Sequence, residues 1–172
     1  MAECEDPRDH RVIDAERDCY QTLGVIPASV VERLWPGFVP QSYEVAINPV
    51  YVSRHMRKSA DYMERAAAFA QHIVRLPALF SDSVVFARYD GVDRGEAGIT
   101  AFAPIGGGAA CEPTQYIAIG VRLFTAKLGR GKPNYVTTVM PPVTEARLRK
   151  MLRRRDHCLV EDGDVVADPG SE

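Results

Sequence analysis

Residues 116–128 read YIAIGVRLFTAKL and residues 134–140 read NYVTTVM, two runs in which β-branched residues are frequent and apolar positions alternate with others. Two shorter runs of the same kind precede them, SVVFAR at residues 83–88 and the segment Ile99–Ile105. A side-chain period of two is typical of β-strands. It predicts that Tyr135, Thr137 and Val139 share one face of the last strand, opposite Val136, Thr138 and Met140. The strand over residues 116–128 is expected to bulge at Gly120. The connections between the four runs have the length of hairpin loops, which favours antiparallel pairing. The four runs therefore predict a four-stranded antiparallel sheet.

The chain before the sheet carries two short helical patterns. Residues 11–23 place apolar side chains on one stripe, and Gly24 follows as a stop signal. Ser29 and Glu32 have the spacing of a capping box, which predicts a second short helix ending at Trp35-Pro36-Gly37. We therefore expect the N-terminal part of the chain to be helical.

Two extended runs and one long helix come next. Tyr43–Ile47 and Val50–Ser53 contain alternating β-branched residues, and the turn signal Asn48-Pro49 separates them. The clearest helix is predicted over Ser59–Leu76, with Ser59 as its cap and one continuous apolar face. Pro77 is expected to end this helix, because proline interrupts the helical hydrogen-bond pattern.

The C-terminal part is predicted to be a basic helix followed by an acidic tail. Pro141-Pro142 is expected to break the last strand, and Thr144 to cap a helix over residues 145–157. The fold class is then α+β: N-terminal helices, a four-stranded antiparallel sheet and a basic C-terminal helix. The expected divisions are a helical N-terminal segment at 1–42, packed on or appended to the core, an α+β core domain at 43–160, and a disordered acidic tail at 161–172.

Composition restricts the class of protein. The chain has 172 residues, 46% of them hydrophobic and 26% charged, as in ordinary globular domains. No run approaches the roughly 18 apolar residues of a membrane helix, and the acidic start does not resemble a signal peptide. The cysteines are widely spaced and predict reduced thiols rather than a disulfide framework. We therefore expect a cytoplasmic protein without a membrane partner.

Positive and negative charges are strongly segregated along the chain, although the formal net charge is only −2. Residues 122–155 contain ten basic residues and one acidic residue, whereas residues 161–172 contain five acidic residues and no basic one. Residues 1–18 are acidic as well, with seven acids against three arginines. A basic block on a nearly neutral protein is typical of a polyanion-binding site. The alternative is a solvated basic surface that the acidic ends fold over.

Known catalytic motifs are missing from the sequence. Gly106-Gly107-Gly108 fits neither the phosphate-binding loop nor the dinucleotide fingerprint, and G-x-S-x-G and H-E-x-x-H do not occur. Cys4, His10 and Cys19 have no spacing known from zinc sites. We therefore predict neither a metal ion nor another cofactor.

The most promising proton carrier is His55, since histidine titrates near neutral pH. It lies at the head of the long helix among basic residues, of which Arg54 and Lys58 are candidate contacts for a phosphodiester. The alternative is a surface histidine on a solvated turn. His72 and His157 are weaker candidates.

The predicted sheet adds cations, hydroxyl groups and an aromatic ring. A sheet face with these groups can hold a phosphate by charge and hydrogen bonds, and Tyr135 can stack on a base. The alternative is that threonine and tyrosine simply favour strands. The candidates in the strands and their hairpin are Arg122, Lys127, Arg130, Lys132, Tyr135, Thr137 and Thr138.

The order of elements and several short strings resemble the barnase–EndoU–colicin–RelE type of ribonuclease, in the variety carried by phages and mobile elements. The resemblance covers about residues 50–141 and excludes the first 40 residues and the basic C-terminal helix. The strings that carry it are Val52-Ser-Arg-His55, Leu76-Pro77, Ile99–Pro104, Tyr116–Leu123 and Tyr135-Val-Thr-Thr138.

The resemblance implies cleavage of RNA without a metal ion, by attack of a ribose 2′-hydroxyl on the adjacent phosphorus. His55 would be the acid or the base, and either Arg122 or Lys127 would hold the phosphate. Thr137 or Thr138 would donate a hydrogen bond to it. The sheet offers no clear second histidine or glutamate, so the partner acid stays unassigned.

Two further functions are compatible with the same residues. A nucleic-acid-binding or phage-associated accessory protein would use the basic helix, including Arg153 and Arg154, along a phosphate backbone without catalysis. A protein-interaction domain would use that helix against an acidic partner. For the ribonuclease we expect RNA as the main partner and a second partner in an inhibitory, phage or host protein, as for a toxin or phage-encoded effector.

Overall fold

The structure of the protein is a computed structural model, and it describes residues 12–106, 113–162 and 164–166. Within these ranges the chain forms eight strands, six α-helices and one 3-10 turn. The strands are β1 (Gln21–Val25), β2 (Glu44–Ile47), β3 (Val85–Tyr89), β4 (Glu96–Ile105), β5 (Gln115–Phe124), β6 (Asn134–Thr144), β7 (His157–Glu161) and β8 (Asp164–Val166). The helices are α1 (Ala28–Leu34), α2 (Pro49–Met56), α3 (Tyr62–His72), α4 (Leu76–Ser81), α5 (Ala126–Gly129) and α6 (Glu145–Leu152), with the 3-10 turn at Ile73–Arg75.

All eight strands belong to one curled sheet with the order β1-β2-β6-β5-β4-β3-β7-β8. The four predicted runs form its centre, where β3, β4, β5 and β6 pair antiparallel. The sheet is mixed, because β2 pairs parallel with the start of β6. The predicted fold class, a four-stranded antiparallel sheet behind N-terminal helices, is therefore wrong. A strand precedes the first helix, and further strands extend the sheet at both edges.

The sheet has two differently covered faces. The inner face carries the larger core, in which Ile117, Ile119, Val121 and Leu123 of β5 pack with side chains from α1, α2, α3 and α4. The outer face is covered at one end by α6, whose Leu148 and Leu152 pack on residues such as Ala118. Because successive side chains of a strand alternate, the remaining even-numbered residues of β5 also belong to the outer face. This open half of the outer face holds the candidate site.

The helix predicted over residues 11–23 is replaced by an irregular segment and strand β1. Leu23 points into the core, while Val12 is exposed, so the helical stripe is not used. Gly24 does not stop a helix but lies in β1 at an irregularity of its pairing with β2, close to the ring of Phe80. Pairing with β2 thus overrides the local helical pattern.

The strand predicted at Val50–Ser53 is helix α2. The Asn48 side chain caps this helix by accepting hydrogen bonds from the backbone N–H groups of Val50 (3.1 Å) and Tyr51 (3.2 Å). Pro49 occupies the first turn, where its missing N–H costs nothing. The dipeptide Asn48-Pro49 therefore starts a helix instead of forming a turn.

The long helix predicted over Ser59–Leu76 is divided into α3, the 3-10 turn and α4. Asp61, rather than Ser59, precedes α3. Pro77 does not end the helical region but lies in the first turn of α4. Proline is accommodated there for the same reason as at the start of α2.

Strand β6 continues through Pro141-Pro142, which were expected to break it. Its pairing with β5 is irregular between Tyr116 and Ala118, so the prolines lie in a bulge. Thr144 caps α6 as predicted, accepting a hydrogen bond from the backbone N–H of Arg147 at 3.3 Å. The helix ends at Leu152 instead of 157, and the expected disordered tail contributes Glu161 to β7 and residues 164–166 to β8.

Candidate functional site

A bulge in β6 decides which of its side chains reach the outer face. Gly120 pairs with Thr138 and Val121 pairs with Val136, so Thr137 is the extra residue. Val136 and Val139 both point into the core, which leaves Thr138 on the outer face together with Tyr135. The predicted alternation, with Thr138 opposed to Tyr135, is therefore wrong beyond residue 136. The bulge predicted in β5 at Gly120 lies instead in β6, at Thr137, which follows Val136 opposite Gly120 and Val121.

Four aromatic rings form a row on this face. Tyr20, Tyr135, Tyr51 and His55 follow one another with ring centroids 6.1, 5.3 and 5.8 Å apart. The Tyr51 and His55 rings are stacked at 17°, because a spacing of four residues places both on one side of α2. Phe124 packs against Tyr135 from β5 at 5.4 Å. The row holds the exposed His55 ring in a fixed orientation.

Three cationic side chains surround His55. Partial burial lowers the pKa of His55 below its ordinary value of 6.5, and the positive charges of Lys58, Arg122 and Arg65 lower it further. The imidazole is therefore neutral near pH 7 and able to accept a proton. Arg122 lies directly across from Tyr135 in the sheet, and Lys58 is exposed in the turn after α2.

The arginines of the site are oriented by neighbouring groups. Arg65 forms an ion pair with Asp61 at 2.7 Å and donates from Nη1 to the hydroxyl of Thr138 at 3.2 Å. Arg122 lies 3.6 Å from the carboxylate of Glu96. The hydrogen bond from Arg65 keeps the pKa of Asp61 below its ordinary value. Both carboxylates are thus engaged with arginines, while each guanidinium keeps further N–H groups for an anion.

The hydroxyl groups of Tyr135 and Tyr20 stay protonated at neutral pH. Burial, a hydrogen bond with Tyr51 and the nearby phenols raise the pKa of Tyr135 to about 12, although Arg122 opposes the shift. Burial also raises the pKa of Tyr20. These hydroxyls can donate hydrogen bonds to an anion, but they release a proton less readily than an ordinary phenol.

Of the residues predicted to act in catalysis, the structure brings His55, Arg122 and Thr138 to one face. Lys58 and Tyr135, predicted as nucleic-acid contacts, lie beside them. Thr137 instead donates its hydroxyl proton to the backbone oxygen of Gly120 at 3.3 Å, within the bulge.

The other predicted contacts are distributed over α2, α5, the turn after α5 and the end of α6. Lys127 is on α5, Arg130 follows it in a left-handed conformation (φ 30°), and Lys132 is exposed in the next turn. Arg54 is exposed on α2. Arg153 and Arg154 are exposed at the end of α6, and Arg154 lines a groove with Arg147 and Lys150.

Sequence reasoning missed Tyr20, Tyr51 and Arg65. The spacing of four residues between Tyr51 and His55 is a usable signal once residues 49–56 are recognised as a helix. Arg65 could be placed only from the packing of α3 against β6, and Tyr20 only from the pairing of β1 with β2.

Other features of the described residues bear on possible ligands. No group of three or more His, Cys, Asp and Glu side chains in these ranges is arranged to hold a metal ion. Cys4 and His10 lie outside the described residues, and Cys19 and Cys158 are free thiols. None of the helices that the structure describes has the length and hydropathy needed to cross a membrane.

Comparisons with protein-family models, curated proteins and solved structures found no match to this chain. The function is therefore argued from the chemistry of the outer face.

Proposed function

We propose that the open half of the outer face binds RNA and cleaves its phosphodiester bonds without a metal ion. The observation that carries this proposal is His55, a histidine with a lowered pKa, stacked on Tyr51 and surrounded by three cations. A neutral imidazole can take a proton from a hydroxyl, and the cations attract the phosphate next to it.

In this proposal His55 accepts the proton of a ribose 2′-hydroxyl. The 2′-oxygen then forms a bond to the adjacent phosphorus, and the bond from phosphorus to the 5′-oxygen breaks. Arg122 and Arg65 stabilise the charge that builds up on the phosphate oxygens. The leaving 5′-oxygen takes its proton from solvent or from Lys58, the exposed ammonium group beside His55.

The cellular location and the protein partner expected from the sequence are part of the same proposal. A toxin or phage-encoded effector of this kind acts on RNA in the cytoplasm, and an inhibitory protein would block it by covering the outer face.

Burial raises the pKa of the Cys158 thiol to about 11, which keeps this thiol protonated and unreactive in the cytoplasm.

One observation favours a second candidate, a nucleic-acid-binding protein without catalysis. Asp61 and Glu96 are the carboxylates that contact the arginines of the site, and each is engaged by its arginine. The described residues therefore provide no evident carboxylic acid to protonate the leaving oxygen, as a paired acid–base mechanism needs. A binding protein would need the cations and rings alone.

The test is cleavage of labelled total RNA and ribosome-bound message by purified protein in EDTA, with His55→Ala alongside. We expect the wild type to cut and the variant to lose at least about 100-fold in rate, the usual contribution of a general base. His157→Gln, which changes a histidine on β7, is the matched control and should cut like the wild type. Binding of 2′-O-methylated RNA should survive His55→Ala.

Three outcomes separate the candidates. Equal cutting by the wild type and His55→Ala contradicts the role of His55. If neither protein cuts, but both bind with an affinity that falls steeply with salt, the binding protein is correct. Absence of binding even at low salt excludes both and favours a protein partner for the basic helix.

A further inference from the structure

A groove of about 450 Å³ adjoins the aromatic row at Tyr20. It lies on the outer face of β1 and β2, because Val45 and Ile47 of β2 point into the core and their neighbours point away from it. Its volume is within the range of about 300–1,000 Å³ that is usual for small-ligand sites. The side chains that matter for its chemistry are Tyr20, Thr22, Ser42, Glu44 and Lys132. All of them except Lys132 lie outside the segment that resembles a ribonuclease.

Tyr20 is the exposed tyrosine of the row and can take a ligand on the face of its ring. Its side chain is 42% exposed, and it lies at the end of the row, 6.1 Å from Tyr135 and tilted by 39°. Tyr135, which the sequence suggested as the stacking residue, is instead enclosed by the rings of Tyr20, Tyr51 and Phe124. At this end of the row, a planar ligand arriving from solvent therefore meets Tyr20 before Tyr135.

We propose that Tyr20 and this groove bind the base of an unpaired nucleotide on one side of the scissile bond. This inference rests on the proposed function, since it assumes that nucleic acid lies on the outer face. Aromatic stacking suits any base, and it requires a base that is free of its pairing partner. The substrate is then single-stranded RNA, or a loop within a folded RNA.

The charges around the groove suit a nucleotide. The Lys132 ammonium group at its rim can contact a flanking phosphate, and the Glu44 carboxylate can accept a hydrogen bond from an amino group of a base. Tyr20 and His55 are the two ends of the aromatic row, so a strand that follows the row presents a base to one end and a phosphodiester to the other. Tyr135 and Tyr51 separate the two positions.

The experiment uses a 2′-O-methylated RNA oligonucleotide with 2-aminopurine as its reporter base, because methylation prevents the 2′-oxygen from attacking. Stacking on a protein ring quenches 2-aminopurine fluorescence. We expect the full-length protein to quench it and Tyr20→Ala to abolish the quenching. Affinity should fall roughly 5- to 150-fold in Tyr20→Ala, as expected for loss of about 1–3 kcal/mol per stacked base. Tyr20→Phe should bind and quench like the wild type.

Two controls make the result specific. Tyr89→Ala removes another exposed tyrosine, 50% exposed on β3 and outside the site, and should change neither quenching nor affinity. The same oligonucleotide annealed to its complement should bind without any dependence on Tyr20. Unchanged quenching in Tyr20→Ala, or an equal loss in Tyr20→Phe, overturns the base subsite.

The two proposals can fail separately. If the wild type cuts RNA in the His55-dependent way and Tyr20→Ala has no effect on quenching or binding, the base subsite is wrong and the ribonuclease stands. If quenching depends on Tyr20 but nothing is cut, the subsite belongs to a binding protein.

Discussion

At the scale of single residues, the charge beside His55 decides its protonation. Lys58 and the arginines repel the protonated imidazole, which adds to the effect of burial. We predict that Lys58→Gln raises the pKa of His55 toward 6.5 and that Lys58→Arg leaves it low, because only the first change removes a charge. A proton NMR titration of the His55 ring measures this directly. Lys127→Gln is the control, since Lys127 does not contribute to the shift.

The same shift has a consequence for stability. Since the native state disfavours protonated His55, the unfolded chain binds the proton more readily, and the stability contributed by neutral His55 is lost as pH falls from 6.5 through the lowered pKa. Wild-type protein should therefore lose more stability between neutral and mildly acidic pH than His55→Gln does. Urea unfolding at several pH values measures the difference, and parallel curves for the two proteins would contradict it.

Part of the site was predictable at this scale. His55 and Lys58 are close together in sequence, and Arg122 belongs to a strand with clear alternation. The types and positions of these residues therefore predicted an anion-binding site. Thr138 was assigned to the wrong face because one extra residue in β6 reverses the alternation. Tyr20 and Arg65 reach the site only through packing between segments that are distant in sequence. Local sequence patterns do not predict such packing.

At the scale of elements, the Asn134 side chain joins three segments where β2 meets β6. It is fully buried, and its amide group donates to the backbone oxygens of Ser42 (2.8 Å) and Glu44 (2.9 Å). Its oxygen accepts from the backbone N–H of Phe124 at 2.9 Å and from Gln41. These bonds hold the parallel pairing next to Tyr135.

We predict that Asn134→Leu destabilises the protein by about 2–5 kcal/mol, since one buried and two partly buried backbone groups lose their partner. Asn134→Asp should be destabilising as well, because it keeps the acceptor for Phe124 but loses both donated bonds. Chemical denaturation measures both changes. A loss below about 0.5 kcal/mol, typical of surface substitutions, would show that the amide does not hold the strands together.

The bulge beside the site depends on the small size of Gly120. A Cβ atom at this position would lie 2.8 Å from Cγ2 of Thr138 and 3.2 Å from Oγ1 of Thr137. We predict that Gly120→Ala costs about 1–3 kcal/mol, as overpacking usually does. Thr138→Ser removes the methyl group but keeps the hydroxyl that Arg65 contacts, so it should recover part of the loss in the double variant. Strictly additive effects in denaturation experiments would contradict this coupling.

Some elements of the fold could be predicted from local sequence patterns, and others could not. The runs that became β3 to β6 were recognisable because they alternate and are joined by short loops. Strand β1 and helix α2 were misassigned, since β1 forms through its partner β2 and the start of α2 depends on one capping asparagine. The parallel pairing of β2 with β6 crosses about half of the chain, and nothing in either segment specifies it.

At the scale of the whole molecule, the outer face carries both the candidate site around His55 and the basic helix α6. Ala118 of β5 lies under α6, and Arg122 of the candidate site lies four residues further along the same strand and on the same face. That separation is about 13 Å at the usual rise per residue. Arg155 lies partly buried against this face, where it donates to Thr100, the β4 partner of Gly120, and to the backbone oxygen of Arg88. Helix α6 therefore extends the charged surface away from His55.

We predict that the basic side chains of α6 contribute to RNA affinity by neutralising phosphates of the strand that extends beyond the candidate site. Changing Arg147, Lys150 and Arg154 together to glutamine should reduce the slope of log K against log salt by about two, because each phosphate neutralised on a single strand contributes roughly 0.7 to that slope. The quenching at Tyr20 should persist at low salt, because the base subsite is intact. The matched control changes three exposed arginines elsewhere, Arg17, Arg33 and Arg75, to glutamine and alters the net charge equally. Equal slopes for the two triple variants would mean that net charge, rather than the position of α6 beside the site, attracts the RNA.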